Sequence, residues 1–215
     1  MSFLTNLWKL TLPTGKPGAP TEISGGAIKS YKDVNFYEEG DYIIFKTPTD
    51  GVTTSGSSYP RCELRELAAD GKLASWRGKT GTHQMTYTFA CTHLPKNKPV
   101  VVVGQIHDSE DDVIEIRLKD KNLEVIHDTT HYGSLEPAYK LGDFVTVSIT
   151  AKGGKIYVRC NSKTIIVTPK STEGFYFKLG SYVQSSPKTG DPHDYAEVHL
   201  KAVKVTHVKG VCPIT

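Results

Sequence analysis

The strongest constraint on this chain is a hydrophobic period of two. Short runs rich in Val, Ile, Thr, Tyr and Phe recur along it, each cut off by Gly, Pro, Asn or Asp, and no segment sustains a helical period beyond two or three turns. The clear runs are 42–46, 83–90, 100–107, 113–118, 123–127, 144–150, 156–160, 164–167, 175–184 and 196–208. They predict a mostly antiparallel all-β protein with enough strands for two packed sheets. Lys119-Asp120-Lys121-Asn122 and Lys152-Gly153-Gly154-Lys155 each separate two such runs, so both pairs are expected to be hairpins. There is no internal repeat and no Pro/Ser-rich linker, which favours a sandwich or jelly roll over a propeller or tandem array. A chain of 215 residues fits one domain, 1–215, with one core. The segments 47–59 and 185–194, rich in Gly, Ser, Thr and Pro, are expected as flaps over a groove.

Composition narrows the partners. Lysine and arginine total 26 against 23 acids, a net charge of +3, so no nucleic-acid arm or acidic tail is expected and attraction to an anionic partner has to be local. No apolar stretch approaches the roughly 20 residues that span a bilayer. The start, Met1-Ser2-Phe3-Leu4, carries no export signal, although a mature secreted chain beginning at a replacement methionine would read the same. Cys62, Cys91, Cys160 and Cys212 lack the Cys-x-x-Cys spacing of zinc ribbons and redox motifs. Their even number leads us to expect two disulfides and a secreted, extracellular protein, with reduced core cysteines as the alternative; a monomer is expected.

Three strands place polar residues on one face. In Arg61-Cys62-Glu63-Leu64-Arg65, alternation puts Arg61, Glu63 and Arg65 together, opposite Cys62 and Leu64. In 100–107 the apolar start gives way to Gln105 and His107 on one face, with Ile106 opposite. In 175–184 parity sorts Tyr176, Lys178, Tyr182 and Gln184 from Phe175, Phe177, Leu179 and Val183, and Gly180 leaves room for a bulge or for close approach of a ligand. One such strand alone reads more readily as a solvated outer face, and a lone histidine is more often structural than catalytic. Three strands with the same habit point to a polar sheet that binds something.

At these residues the sequence resembles polysaccharide lyase family 7, the alginate lyases, whose signature strands read Arg-(Ser/Thr)-Glu-Leu-Arg, Gln-(Ile/Val)-His and Tyr-Phe-Lys-x-Gly-x-Tyr-x-Gln. Trp8-Lys9-Leu10-Thr11-Leu12-Pro13 is similar to the family's opening strand, so the likeness runs in order over nearly the whole chain. Cys62 departs from the family's Ser or Thr, and alternation turns it away from the polar face. The resemblance implies a β-jelly roll with a concave substrate groove and catalytic residues Arg61, Gln105, His107 and Tyr182. It implies an anionic polysaccharide, alginate, as partner and β-elimination as the reaction. Glu63, Arg65, Tyr176, Lys178 and Gln184 then hold neighbouring sugars, or, for Glu63, orient Arg61.

The chemistry fits those residue types. A uronate C5 proton becomes removable when the C6 carboxylate is neutralised, and a guanidinium fork with an amide donor suits that task. His107 and Tyr182 supply a base and an acid; tyrosine ordinarily ionises near about 10, so its use as a base needs a cationic neighbour such as Arg61. No metal or organic cofactor is expected. His127 and His131 have a helical zinc spacing, but Asp128-Thr129-Thr130 between them read as loop, and Glu110-Asp111-Asp112 reads as a solvated turn. Ile106 in Gln-Ile-His is associated within the family with guluronate or mixed blocks, and polymannuronate and glucuronan stay open. The alternative from another class is a non-catalytic carbohydrate-binding module.

Overall fold

The computed structural model describes residues 4–209 and is almost entirely antiparallel β. In chain order its strands are β1 (Trp8–Lys16), β2 (Ala19–Ser24), β3 (Phe36–Glu39), β4 (Tyr42–Pro48), β5 (Arg61–Glu66), β6 (Thr82–His93), β7 (Val100–His107) and β8 (Asp112–Lys119). There follow β9 (Asn122–His127), β10 (Thr130–Glu136), β11 (Val145–Lys152), β12 (Lys155–Cys160), β13 (Lys163–Val167), β14 (Tyr176–Val183) and β15 (Tyr195–Val208). They form an eight-stranded sheet, β10-β9-β8-β7-β14-β5-β1-β2, and a seven-stranded sheet, β13-β12-β11-β6-β15-β4-β3.

The inward faces of both sheets meet in one apolar core that includes Leu10, Phe36, Phe45, Leu64, Tyr87, Phe89, Ile106, Phe175, Phe177 and Leu200. Each such side chain contributes roughly 1.5–3 kcal/mol on leaving water, which is what fixes the register of every central strand. Both expected hairpins form: Lys119 pairs Asn122, and Lys152 pairs Lys155. Gly153 and Gly154 both have positive φ, 59° and 78°, the twist a two-residue hairpin turn requires.

Three strands escaped the sequence pattern, and all lie at or beside sheet edges. β2 and β3 are the terminal strands of their sheets, and β10 is the terminal strand at the other end of the larger one. Edge strands bury little, so β2 has no buried residue and β10 only Leu135, and alternation is lost. Thr130, read as loop, begins β10; the turn before it is made by Asp128 and Thr129 at φ 48° and 62°.

The expected disulfides are corrected among the described residues. Cys62, Cys91 and Cys160 are free and buried, while Cys212 lies outside the described residues. Cys62 faces the core from the larger sheet, and Cys91 and Cys160 from the smaller one, each packed as a small hydrophobe. The Cys62 thiol donates to the Asn35 carbonyl at 3.3 Å and that of Cys91 to the His93 carbonyl at 3.4 Å. Burial pushes the Cys91 thiol up to about 12 and Cys62 well above its ordinary value.

Gly180 is also reassigned. The register between β14 and β7 does shift between Leu179 and Tyr182, so the bulge is present. The room at Gly180 is taken by protein: a Cβ there would stand 2.5 Å from the Cys62 carbonyl oxygen and 3.1 Å from the Phe45 ring, and φ is 145°. The glycine lets β14 and β5 approach. Two outcomes follow. Gly180→Ala is expected to lower stability by roughly 2 kcal/mol or more in denaturant unfolding. Thiol titration is expected to leave Cys62, Cys91 and Cys160 unreacted in the native protein and to find all three on unfolding; resistance to titration in denaturant would restore the disulfides.

Candidate active site

Pairing of β5, β14, β7 and β8 brings the predicted residues onto one face. Tyr182 sits opposite Arg61 and Lys178 opposite Arg65 across the β14–β5 ladder. On the other side of β14, Tyr176 pairs His107 and Lys178 pairs Gln105. The parity read from each strand is the parity observed: Cys62, Leu64, Ile106, Phe177 and Leu179 are in the core.

At the centre lies Glu63, whose side chain is 1% exposed. Its Oε2 accepts from Lys178 Nζ at 2.6 Å and from Arg61 Nη1 at 3.3 Å, and its Oε1 accepts from Gln105 Nε2. Burial alone would push the Glu63 carboxyl up; the Lys178 and Arg61 charges and the hydrogen bonds from Lys178 and Gln105 outweigh it and hold the group below the usual carboxylate range. Lys178 is itself buried and its ammonium is held below its ordinary value by burial, against the pull of Glu63. Glu63 thus gathers Arg61, Gln105 and Lys178 around one carboxylate.

Arg61 stacks on Tyr182, its guanidinium carbon 3.8 Å from the ring centroid. The expected cationic neighbour of Tyr182 is thus over the ring, while the hydroxyl meets Ser57 Oγ at 2.9 Å. Arg65 repeats the arrangement on Tyr176, also at 3.8 Å. Ser57 belongs to the first expected flap, which is fastened to the second through Thr49 and the Asp194 carbonyl, 2.8 Å from the Thr49 amide. Ser57 gave no signal in the sequence, because a loop serine has no periodicity to read.

His107 Nδ1 lies 2.7 Å from the Asp108 carbonyl and 3.0 Å from the Tyr176 hydroxyl. A carbonyl only accepts, so Nδ1 carries the proton and the Nε2 lone pair is left to take one. Burial, reinforced by Lys178, holds the imidazole below its ordinary value and therefore neutral. Beyond Gln105 in register is Glu115 on β8, which burial and then Asp112 push up to about 7; Asp112, opposite His107, is pushed up to about 6 by burial and then Asp111. Both share the site's face and were missed individually, although the parity of 113–118 with the Gln105 register would have exposed Glu115. Asp112 leaves the expected solvated turn to begin β8.

Gln184 lies apart from the others, in a depression of about 530 Å³ with Lys96, Lys98, Arg117 and Lys119. Buried donors without a protein partner among the described residues include Arg61 Nε, Arg65 Nε and Gln184 Nε2, all from predicted site residues. The two histidines with zinc spacing flank a hairpin turn: His127 Nδ1 bonds the Val113 carbonyl at 2.6 Å, and His131 reaches Glu124 at 3.4 Å.

A family model described as alginate lyase matches residues 3–207. Among solved structures, alginate lyase AlgAT5 of polysaccharide lyase family 7 is 45% identical, with 94% of each chain covered and a TM-score of 0.89. The alginate lyase from Corynebacterium sp. is 37% identical, again with 94% of each chain covered and a TM-score of 0.89. A doubly substituted family 7 alginate lyase A1-II′, in complex with substrate (GGMG), is 28% identical over 96% of this chain and 95% of that one, with a TM-score of 0.83. No curated protein matches.

The His107 environment sets a measurable titration. By NMR, its imidazole is expected to titrate with a midpoint below the ordinary value of about 6.5, because the charged form is the one burial and Lys178 disfavour. A midpoint at or above that value would contradict the burial and charge assigned here.

Proposed function

The chain belongs to the alginate lyase family and is a polysaccharide lyase, and from that footing we propose that it depolymerises alginate by β-elimination at the 4-O-linked glycosidic bond, leaving an unsaturated uronate at the new non-reducing end. The observation that carries the proposal is the assembly of a carboxylate-neutralising pair, Arg61 and Gln105, on one buried anchor, with Tyr182 beneath the Arg61 guanidinium.

In this reading the uronate carboxylate is received by Arg61 and by the amide N–H of Gln105 that Glu63 does not take. Neutralising it lets C5 release its proton to a base. The electron pair of the C5–H bond moves into the carboxyl group and then into a C4–C5 double bond as the C4–O4 bond breaks, and an acid returns a proton to O4. Charge-assisted hydrogen bonds contribute roughly 1.5–3 kcal/mol each, about one to two powers of ten in rate when confined to the transition state. His107 Nε2 is the base where the C5 proton and the leaving oxygen lie on opposite faces of the sugar, with Tyr182 as acid. For the other epimer Tyr182 performs both transfers.

Guluronate or mixed blocks are the favoured substrate. Support comes from Ile106 in the Gln-Ile-His motif and from the relative solved in complex with the substrate GGMG. Ile106 is in the core, so its influence on the sugar sites is indirect. Arg65, Tyr176, Lys178 and Gln184 extend the polar face that receives neighbouring uronates, and the cationic depression around Gln184 suits a polyanion. A polymer of this kind is met outside cells, so the proposal includes extracellular action, as a monomer.

Two substitutions test the roles separately. Tyr182→Phe is expected to lower turnover on mixed alginate by about 10²–10⁴-fold while retention on an alginate affinity gel persists. His107→Ala is expected to lose activity on one epimeric block far more than on the other. Near-normal turnover in Tyr182→Phe would remove the proposed acid.

A further inference from the structure

At one end of the sandwich, away from the site above, two histidines face each other. His83 on β6 and His207 on β15 are paired in register across the smaller sheet, and their Nδ1 atoms are 2.7 Å apart. The other nitrogen of each ring is already committed. His207 Nε2 lies 2.5 Å from Glu66 Oε1, and His83 Nε2 lies 2.9 Å from the Thr80 carbonyl.

Proton counting makes this arrangement informative. A carbonyl oxygen and a carboxylate only accept, so both Nε2 atoms must carry hydrogen. Two neutral imidazoles of that tautomer present two Nδ1 lone pairs to one another, which repel at this separation. The pair is complete only with a cation between the rings. A proton is the minimal one, giving a pair with a single positive charge; a metal ion is the other.

Three features favour the metal. A ring N–H held by a carboxylate on one histidine and by a backbone carbonyl on the other is the outer arrangement that orients metal-binding imidazoles. Both rings are part-exposed, so the two facing Nδ1 atoms lie within reach of an ion from solvent. Glu66, 4% exposed, has neutral donors as its other partners, Trp76 Nε1 at 3.0 Å and the Phe177 amide at 2.9 Å. Its negative charge is therefore left for a cation at the histidine pair. The groups around the pair include Glu66 from β5, Phe177 from β14, and Trp76 and the Arg77 and Thr80 backbone carbonyls from the preceding loop; Glu66 is the one titratable side chain among these.

We propose that His83 and His207 form a two-imidazole site for a late first-row divalent cation, of the Zn²⁺ or Cu²⁺ class, oriented by Glu66 and the Thr80 carbonyl. Imidazole nitrogen suits these ions. Bonds of about 2.0–2.1 Å at a tetrahedral angle place the two nitrogens roughly 3.4 Å apart, so the half-exposed rings open slightly on binding. No set of three protein ligands exists among the described residues, so water completes the coordination. The ion would join β6 to β15 within one sheet and, through Glu66, tie that seam to β5 of the other sheet, bracing the end of the sandwich rather than taking part in elimination.

The Trp76 ring is stacked on His83 with centroids 4.3 Å apart, which gives the site its own reporter. In chelator-stripped protein, Cu²⁺ is expected to quench Trp76 emission with one-to-one stoichiometry, and Zn²⁺ to bind once by calorimetry and to raise the melting temperature. His83→Gln and His207→Gln, each verified as folded by circular dichroism, are each expected to weaken Zn²⁺ at least tenfold and to abolish the quenching. Trp76→Phe is expected to lose the quenching and keep the calorimetric binding. Absence of one-to-one uptake in the wild-type protein would mean that the rings share a proton only and would overturn the proposal. Unchanged uptake in either histidine variant would overturn it equally, since the ion would then be held elsewhere.

Discussion

A carboxylate buried to 1% exposure would be among the most costly groups in this molecule if it stood alone, and Glu63 does not. An ion of that size loses several kcal/mol on leaving water, even after relaxation, unless charge and hydrogen bonds replace what water supplied. Here Lys178, Arg61 and Gln105 replace it, from three different strands, β14, β5 and β7. The same contacts that rescue the carboxylate fix three donors in place before any ligand arrives. Preorganisation of that kind is what a site needs to stabilise charge that develops on a substrate.

The sandwich supplies the rigidity. Leu64, Ile106, Phe177 and Leu179 anchor the undersides of β5, β7 and β14 in the core, so the side chains on the opposite face inherit fixed positions. The irregularities fall where these strands need adjusting: the β14–β7 register shifts between Leu179 and Tyr182, and Gly180 admits the β5 backbone. Tyr182 emerges next to Arg61 as a consequence, its ring beneath a guanidinium that also bonds Glu63. One cation thus links the carboxylate anchor to the proposed acid.

Much of this was legible because period-two alternation reports which side of a strand meets the core. Arg61, Glu63, Arg65, Gln105, His107, Tyr176, Lys178 and Tyr182 could be assigned to one face from parity alone, and the central strands could be found from their apolar halves. What parity cannot report is depth and partnership. Glu63 and Gln105 read as groove residues, yet both are about 1% exposed and bonded to each other. Edge strands β2, β3 and β10 bury too little to leave a pattern, and Ser57 reaches Tyr182 from a loop. The cysteines misled for a related reason: an even count carries no information about distance, and Cys62, Cys91 and Cys160 are free residues of the core. The His83–His207 pair was invisible because strands 124 residues apart in sequence had to become neighbours first.

The central claim is that Glu63 is the positioning residue on which the neutralising cations depend, and steady-state kinetics of Glu63→Gln on mixed alginate test it most directly. Glutamine keeps the shape and removes the charge that holds Arg61 and Lys178. With the fold intact by near-ultraviolet circular dichroism, kcat/KM is predicted to fall by about one to two powers of ten, borne mainly by kcat. A folded Glu63→Gln enzyme with kcat/KM within about twofold of wild type would contradict the account.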